Sequence, residues 1–256
     1  VRRCNGKRLT SLIAIAGNCD KDLTLLKSLP CLRKCALYYS SQSVTTRRPT
    51  NSFLRSPSLK RLHFDTGQFN CGEKQILYLK NVITASRNIK ELVLILLEPD
   101  RNSSSIRNFY CFFKMLNLTL PSLNTLHLYF HKDESKGPTI GKLPDSPFDD
   151  QLIIFFGQSI SKCLNLKSLK LVVNYSKSLT GEGIARFGKY MSSIEGLQSL
   201  YFNIKPPLDG QYQPNPNSLS LEEGVNMLVE SFLQSKSLKN LFVPILYQNF
   251  SSEIVQ

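Results

Sequence analysis

Three histidines, seven cysteines and one acidic pair are the residues of this 256-residue chain whose chemistry could reach beyond packing. His63 and His127 each sit between two apolar residues, in Leu62-His63-Phe64 and Leu126-His127-Leu128. That alternation puts each imidazole on the opposite face of a short strand from its neighbours, while His131 follows the second strand. Two imidazoles on non-adjacent strands could meet a ligand, but the simpler reading is a solvated surface. Cys31 and Cys35 have the spacing of half a metal site. Cys35 occupies an apolar position, however, and no second pair stands at zinc-finger spacing, so the expectation is structural thiols and no metal. An odd number of cysteines without clustered flanking pairs points to a reducing, intracellular compartment. Asp149-Asp150 precedes the run Gln151-Leu-Ile-Ile, where acid favours the start of a helix. The chain has no P-loop, no G-x-S-x-G and no dinucleotide fingerprint; Gly181-x-Gly183 lacks both a preceding strand and a third glycine. No catalytic residue, cofactor or small-molecule substrate is expected, and the chain reads as a non-enzyme.

The elements that must position these residues are announced by one recurring phrase, apolar-x-x-apolar-x-apolar. It stands at Leu32/Cys35/Leu37, Leu59/Leu62/Phe64, Ile89/Leu92/Leu94, Leu123/Leu126/Leu128, Leu166/Leu169/Leu171, Leu197/Leu200/Phe202 and Leu238/Leu241/Val243. Its first positions lie 27, 30, 34, 43, 31 and 41 residues apart, the range in which one repeat is one supersecondary unit. The last two apolar positions share one face of a strand. Helical spacing precedes most phrases, as in Ile76, Leu79, Val82 and Ile83; Phe109, Phe112, Phe113 and Leu116; Leu152, Ile153, Phe156 and Ile160; Ile184, Phe187 and Met191; and Val225, Leu228, Val229 and Phe232. Units of one strand and one helix cannot cover their own apolar faces. They must stack, with strands parallel and helices outside, leaving an inner sheet surface free. Leu12-Ile-Ala-Ile15-Ala-Gly-Asn18 reads as a weaker, capping eighth unit.

These residues resemble the leucine-rich repeats, specifically the long, helix-bearing subtype of ribonuclease inhibitor. Cys163-Leu-Asn-Leu166-Lys-Ser-Leu169-Lys-Leu171-Val-Val-Asn174 fits the L-x-x-L-x-L-x-x-N core, and Gly181-Glu-Gly183-Ile184 is similar to the opening of that subtype's helix. The uneven repeat style also resembles leucine-rich proteins of ciliates. The resemblance implies an α/β solenoid of seven to eight irregular repeats, with a concave parallel sheet and convex helices. It also implies that Asn174 bonds the backbone of the turn leaving its strand. Ser40, Gly67, Leu97, His131, Lys205 and Leu246 replace that Asn elsewhere, which implies irregular curvature. The expected organisation is a basic segment over 1–19, a repeat domain over 20–248 with inserted loops at 40–58, 131–148 and 205–218, and a tail over 249–256.

Alternation along each phrase identifies the inner face: Arg61, His63, Val93, Ile95, His127, Tyr129, Lys170, Tyr201 and Phe242, with Val172 among them. Such a surface is more apolar than solvation requires, and aromatic anchors favour protein partners. Charge is the other signal. Residues 1–60 hold twelve basic residues against two acids, a net +10, whereas the rest carry twenty against seventeen, a net +3. Arg2, Arg3, Lys7, Arg8, Arg33, Lys34, Arg47, Arg48 and Arg55 are therefore the expected contacts to RNA or an acidic partner. The first 19 residues contain no acid and resemble an organelle transit segment or its remnant. No run reaches the roughly 18 apolar residues of a membrane span. The expectation is a scaffold and accessory subunit binding other protein subunits of a large assembly, mitochondrial, with cytoplasmic and ciliary locations as alternatives. Two other functions stay open: an RNA-associated subunit of an organellar ribosome, and a substrate adaptor of the F-box type whose F-box module is not in this sequence.

Overall fold

The computed structural model describes residues 9–16, 31–39, 58–65, 73–98, 104–131, 146–174, 176–205, 218–233 and 235–244. Every phrase becomes a strand, and the opening Leu12 unit adds one more. The strands are β1 Ser11–Ala16, β2 Lys34–Tyr39, β3 Arg61–Asp65, β4 Glu91–Leu97, β5 Thr125–His131, β6 Ser168–Asn174, β7 Ser199–Lys205 and β8 Asn240–Phe242. They form one eight-stranded sheet in sequence order, every neighbouring pair parallel. Five helices lie among the described residues: α1 Glu73–Ala85, α2 Ser104–Thr119, α3 Asp150–Ile160, α4 Gly181–Ser192 and α5 Leu221–Phe232. Each packs on the next in chain order. The fold is α/β with a single parallel sheet.

Register follows the phrase without a slip. Leu12, Cys35, Leu62, Leu92, Leu126, Leu169, Leu200 and Leu241 form one row across all eight strands. Leu37, Phe64, Leu94, Leu128, Leu171 and Phe202 form the next row on the same face. Apart from the outer Leu12 and Leu241, both rows are buried, joined in one core with the apolar helix faces. Each such leucine contributes about 1.5–3 kcal/mol by leaving water. A ring chain runs through the core: Phe113 meets Phe156 edge-on at 4.9 Å, Phe156 stacks on Phe187 at 6.1 Å, and Phe187 meets Phe202 at 4.9 Å.

Uneven repeats keep register because the approach to each strand is nearly invariant. Helix-end residues Ile83, Ile160 and Met191 accept from Ser86, Cys163 and Ile194, whose carbonyls in turn accept from Ile89, Leu166 and Leu197. The carbonyl just before each strand then takes two N–H donors from the next unit. Lys90 O accepts from Asn124 N at 2.8 Å and Thr125 N at 3.0 Å, and Asn124 O from Lys167 N at 2.8 Å and Ser168 N at 3.0 Å. The same fork recurs at Thr10, Arg33, Lys60, Lys167 and Gln198. All of the length variation is left to the chain after each strand.

The acidic pair does more than favour a helix dipole. Asp149 caps α3, its carboxylate accepting from Leu152 N at 2.8 Å. Asp150 reaches into the following unit, accepting from Thr180 N and Thr180 Oγ1, both at 2.7 Å. Ser220 and Glu223 form a reciprocal capping box at the start of α5.

Several expectations need correction. The insert assigned to 131–148 is not all loop, since His131 ends β5 and Ser146, Pro147 and Phe148 are buried. Phe148 lies 4.5 Å from the Phe130 ring, filling the core where β5 ends. Val229, counted with the inward face of α5, is 36% exposed. Lys205 and Ser58, assigned to the other two inserts, belong to β7 and to the turn before β3. Apart from Ser218, on the approach to α5, the remainder of those inserts, and the segments 1–8 and 249–256, lie outside the described residues.

Candidate functional site

The face of the sheet away from the buried rows is the one surface that gathers the expected binding residues. The register places Ile13, Ala36, His63, Val93, His127, Lys170, Tyr201 and Phe242 in one line, and Tyr38, Asp65, Ile95, Tyr129, Val172 and Asn203 in the line beside it. Strand alternation is sufficient to aim them there, since neighbours two apart share a face. His63, Val93, Ile95, His127, Tyr129, Lys170 and Tyr201 are half-buried, and Phe242 is 52% exposed. Val172 departs from expectation: at 5% exposure it is floor, not contact surface.

Side chains on this face are organised by cross-strand contacts. Lys170 Nζ lies 4.2 Å from the Tyr201 ring centre and 5.2 Å from that of Tyr129, so its ammonium sits between two aromatic faces. Tyr201 stacks on Phe242 at 4.8 Å, extending the aromatic surface to β8. His127 meets Tyr129 edge-on at 6.5 Å, and its pKa is lowered by burial, then by the Lys170 charge, with Glu91 opposing. Tyr38 and His63 are in ring contact at 5.2 Å. At the basic end of the face, Arg61 Nε pairs with Glu91 Oε2 at 2.9 Å, so part of that charge is already answered.

Of the residues expected to contact a polyanion, Arg33 and Lys34 are exposed, and Lys34 stands beside Arg61 in register. Arg2, Arg3, Lys7, Arg8, Arg47, Arg48 and Arg55 lie outside the described residues.

A second polar group sits where the strands end. Glu98, buried just past β4, accepts from Ser146 Oγ at 2.9 Å and from Asn174 N at 3.4 Å. Asn174 Nδ2 donates to Phe130 O at 3.3 Å. Asn174 therefore ties its strand to the end of the preceding one. Sequence reading missed Glu98 and the pairing of Glu91, an expected open-face position, with Arg61, because each acquires its role from partners on other units. A periodic phrase shows no sign of them.

The cysteines divide sharply. Burial pushes the Cys35 thiol up to about 12 and Cys163 up to about 11, so both are protonated, unreactive core residues. Cys31 and Cys111 are exposed free thiols. Among the described residues no group of three His, Cys, Asp or Glu side chains could hold a metal ion, and no helix is long and apolar enough to cross a membrane. No protein-family model and no curated protein sequence matches the chain.

Proposed function

We propose that the chain is a leucine-rich repeat solenoid of the long, helix-bearing subtype, acting as a non-catalytic scaffold that holds other protein subunits against the open face of its sheet. The observation that carries this reading is the unbroken register of eight strands. It commits one row of side chains to the core and the alternating row to the surface, where Tyr201, Phe242, Tyr129 and the aliphatic Val93 and Ile95 form an aromatic and apolar tract. Tyrosines are rigid, amphipathic anchors of the kind that concentrate binding energy at protein interfaces. The role that fits is an accessory subunit of a large assembly, and the acid-free, basic 1–19 segment favours a mitochondrial one.

The test is affinity isolation of the full chain from native lysate, with and without nuclease, read by mass spectrometry. Companion proteins should survive nuclease and be lost when Tyr201→Ser and Phe242→Ser are combined. An unchanged companion set in that double variant would remove the face from the interaction.

The charge asymmetry favours a second reading, RNA contact through the basic end, where Lys34 and Arg61 stand side by side. Its signature is different: recovery would collapse with nuclease, and affinity would fall steeply as salt displaces the phosphate contacts.

A further inference from the structure

Lys170 is the feature of the face that a merely apolar interface does not explain. From β4 to β8, the two inner lines of the face consist of Val93, His127, Lys170, Tyr201 and Phe242, flanked by Ile95, Tyr129, Val172 and Asn203. Lys170 is the one fully charged side chain in that tract. It forms no ion pair among the described residues, and the nearest acid in register, Glu91, is engaged by Arg61. A half-buried ammonium between two tyrosine rings has lost part of its water and gained no anion from the described residues.

Beside it, Asn203 Nδ2 donates to Tyr201 Oη at 3.4 Å, so the tyrosine oxygen accepts there and its O–H can donate, while the buried Asn203 Oδ1 has no partner. His127, beside Lys170 in register, has its pKa lowered by burial and then by the lysine's charge, and an anion docked there would raise it. Resting on the docking reading above, we propose that Lys170 receives a side-chain carboxylate of the docked protein, a glutamate or aspartate with apolar neighbours. The Tyr201 hydroxyl donates a second hydrogen bond, and the apolar neighbours lie on Val93, Ile95 and Phe242. Charge complementarity selects the acid, and the aromatic rim selects its apolar setting. A nucleic-acid backbone would require several cations in a line, whereas this tract offers one.

The groups facing His127 are Lys170 on β6, Glu91 on β4 and Tyr129 on its own strand. A docked carboxylate opposes the lysine and raises the imidazole's affinity for protons. The complex then holds more protons than the free chain, so binding strengthens as pH falls into the range where histidine titrates.

The experiment measures fluorescence anisotropy of a labelled peptide of alternating Glu with Leu and Phe, and of its Gln counterpart, against the full chain. The Glu peptide should bind roughly tenfold tighter or more. Lys170→Met should erase that preference while leaving the Gln peptide unaffected, and Lys170→Arg should retain it, with thermal melts confirming that the variants fold. Equal affinities for the two peptides, both lost in the Tyr201→Ser, Phe242→Ser variant, would overturn the carboxylate assignment and leave the docking face standing. Absence of binding by either peptide, or binding that survives that double variant, would overturn both. Displacement of the Glu peptide by polyuridylate in a manner abolished by Lys170→Met would overturn the proposal in favour of RNA.

Discussion

Cys35 and Cys163 sit in the phrase or just before it, and burial has removed their chemistry. With thiols pushed up to about 12 and about 11, neither offers a thiolate at neutral pH, whereas Cys31 and Cys111 face solvent. Native alkylation at pH 8 followed by peptide mapping should therefore modify Cys31 and Cys111 within minutes and leave Cys35 and Cys163 unmodified until denaturant is added. Rapid labelling of Cys35 would contradict its place in the row with Leu62. The core role of Cys35 was legible because it fills an apolar slot of the phrase. The roles of Glu98 and Glu91 were not, since Ser146, Asn174 and Arg61 are brought to them by other strands. His127 lies between these cases: its face was legible, but the burial that chiefly depresses its basicity and the Lys170 neighbour that adds to it were matters of packing and register.

At the scale of elements, helix spacing is set by glycines, with Gly224 of α5 close against Gly181 of α4, and with Gly157 and Gly188 further along. A Cβ on Gly157 would lie 3.2 Å from the Phe187 and Tyr190 side chains, and one on Gly188 would lie 2.8 Å from Leu228 Cα. Each glycine follows the large apolar residue of its helix, Phe156 or Phe187, and faces the next helix. In α5 the same place, after Leu228, is held by the branched and exposed Val229. The close approach made by α3 and α4 is therefore not available on the outer side of α5. Gly188→Val should force α4 and α5 apart and cost about 1–3 kcal/mol, read as a lower urea midpoint. An unchanged midpoint would show that the interface yields freely. Helix identity was legible from periodicity, but this asymmetry was not, because a glycine in a helical run does not state what approaches it.

For the molecule as a whole, stability is distributed along the sheet, and its ends are the weak places. Leu126 is fully buried between β4 and β6, while Leu241, on the short outer strand β8, is only partly covered. Leu126→Ala should cost about 2–5 kcal/mol in chemical denaturation. Leu241→Ala should cost about 1 kcal/mol or less, since part of its surface is already in water. Equal losses at the two sites would mean that β8 is as enclosed as the centre. The roles proposed above follow the same axis: among the described residues Arg33, Lys34, Lys60 and Arg61 stand at β2 and β3, and the aromatic tract with Lys170 lies toward β5 to β8.

The amino-acid sequence by itself determined the strands, their common inward rows and the face on which His63, His127, Lys170 and Tyr201 lie. These follow from alternation and repetition, which are local properties of the chain. Tertiary structure decided which outward side chains are surface and which are floor, as at Val172, and which charges are already answered, as at Arg61. It also decided that Ser146 and Phe148 belong to the core, and that Lys170 rests between two tyrosines. The physical reason is distance along the chain: a side chain's own position fixes its direction, but its solvation and partners come from strands and turns tens of residues away.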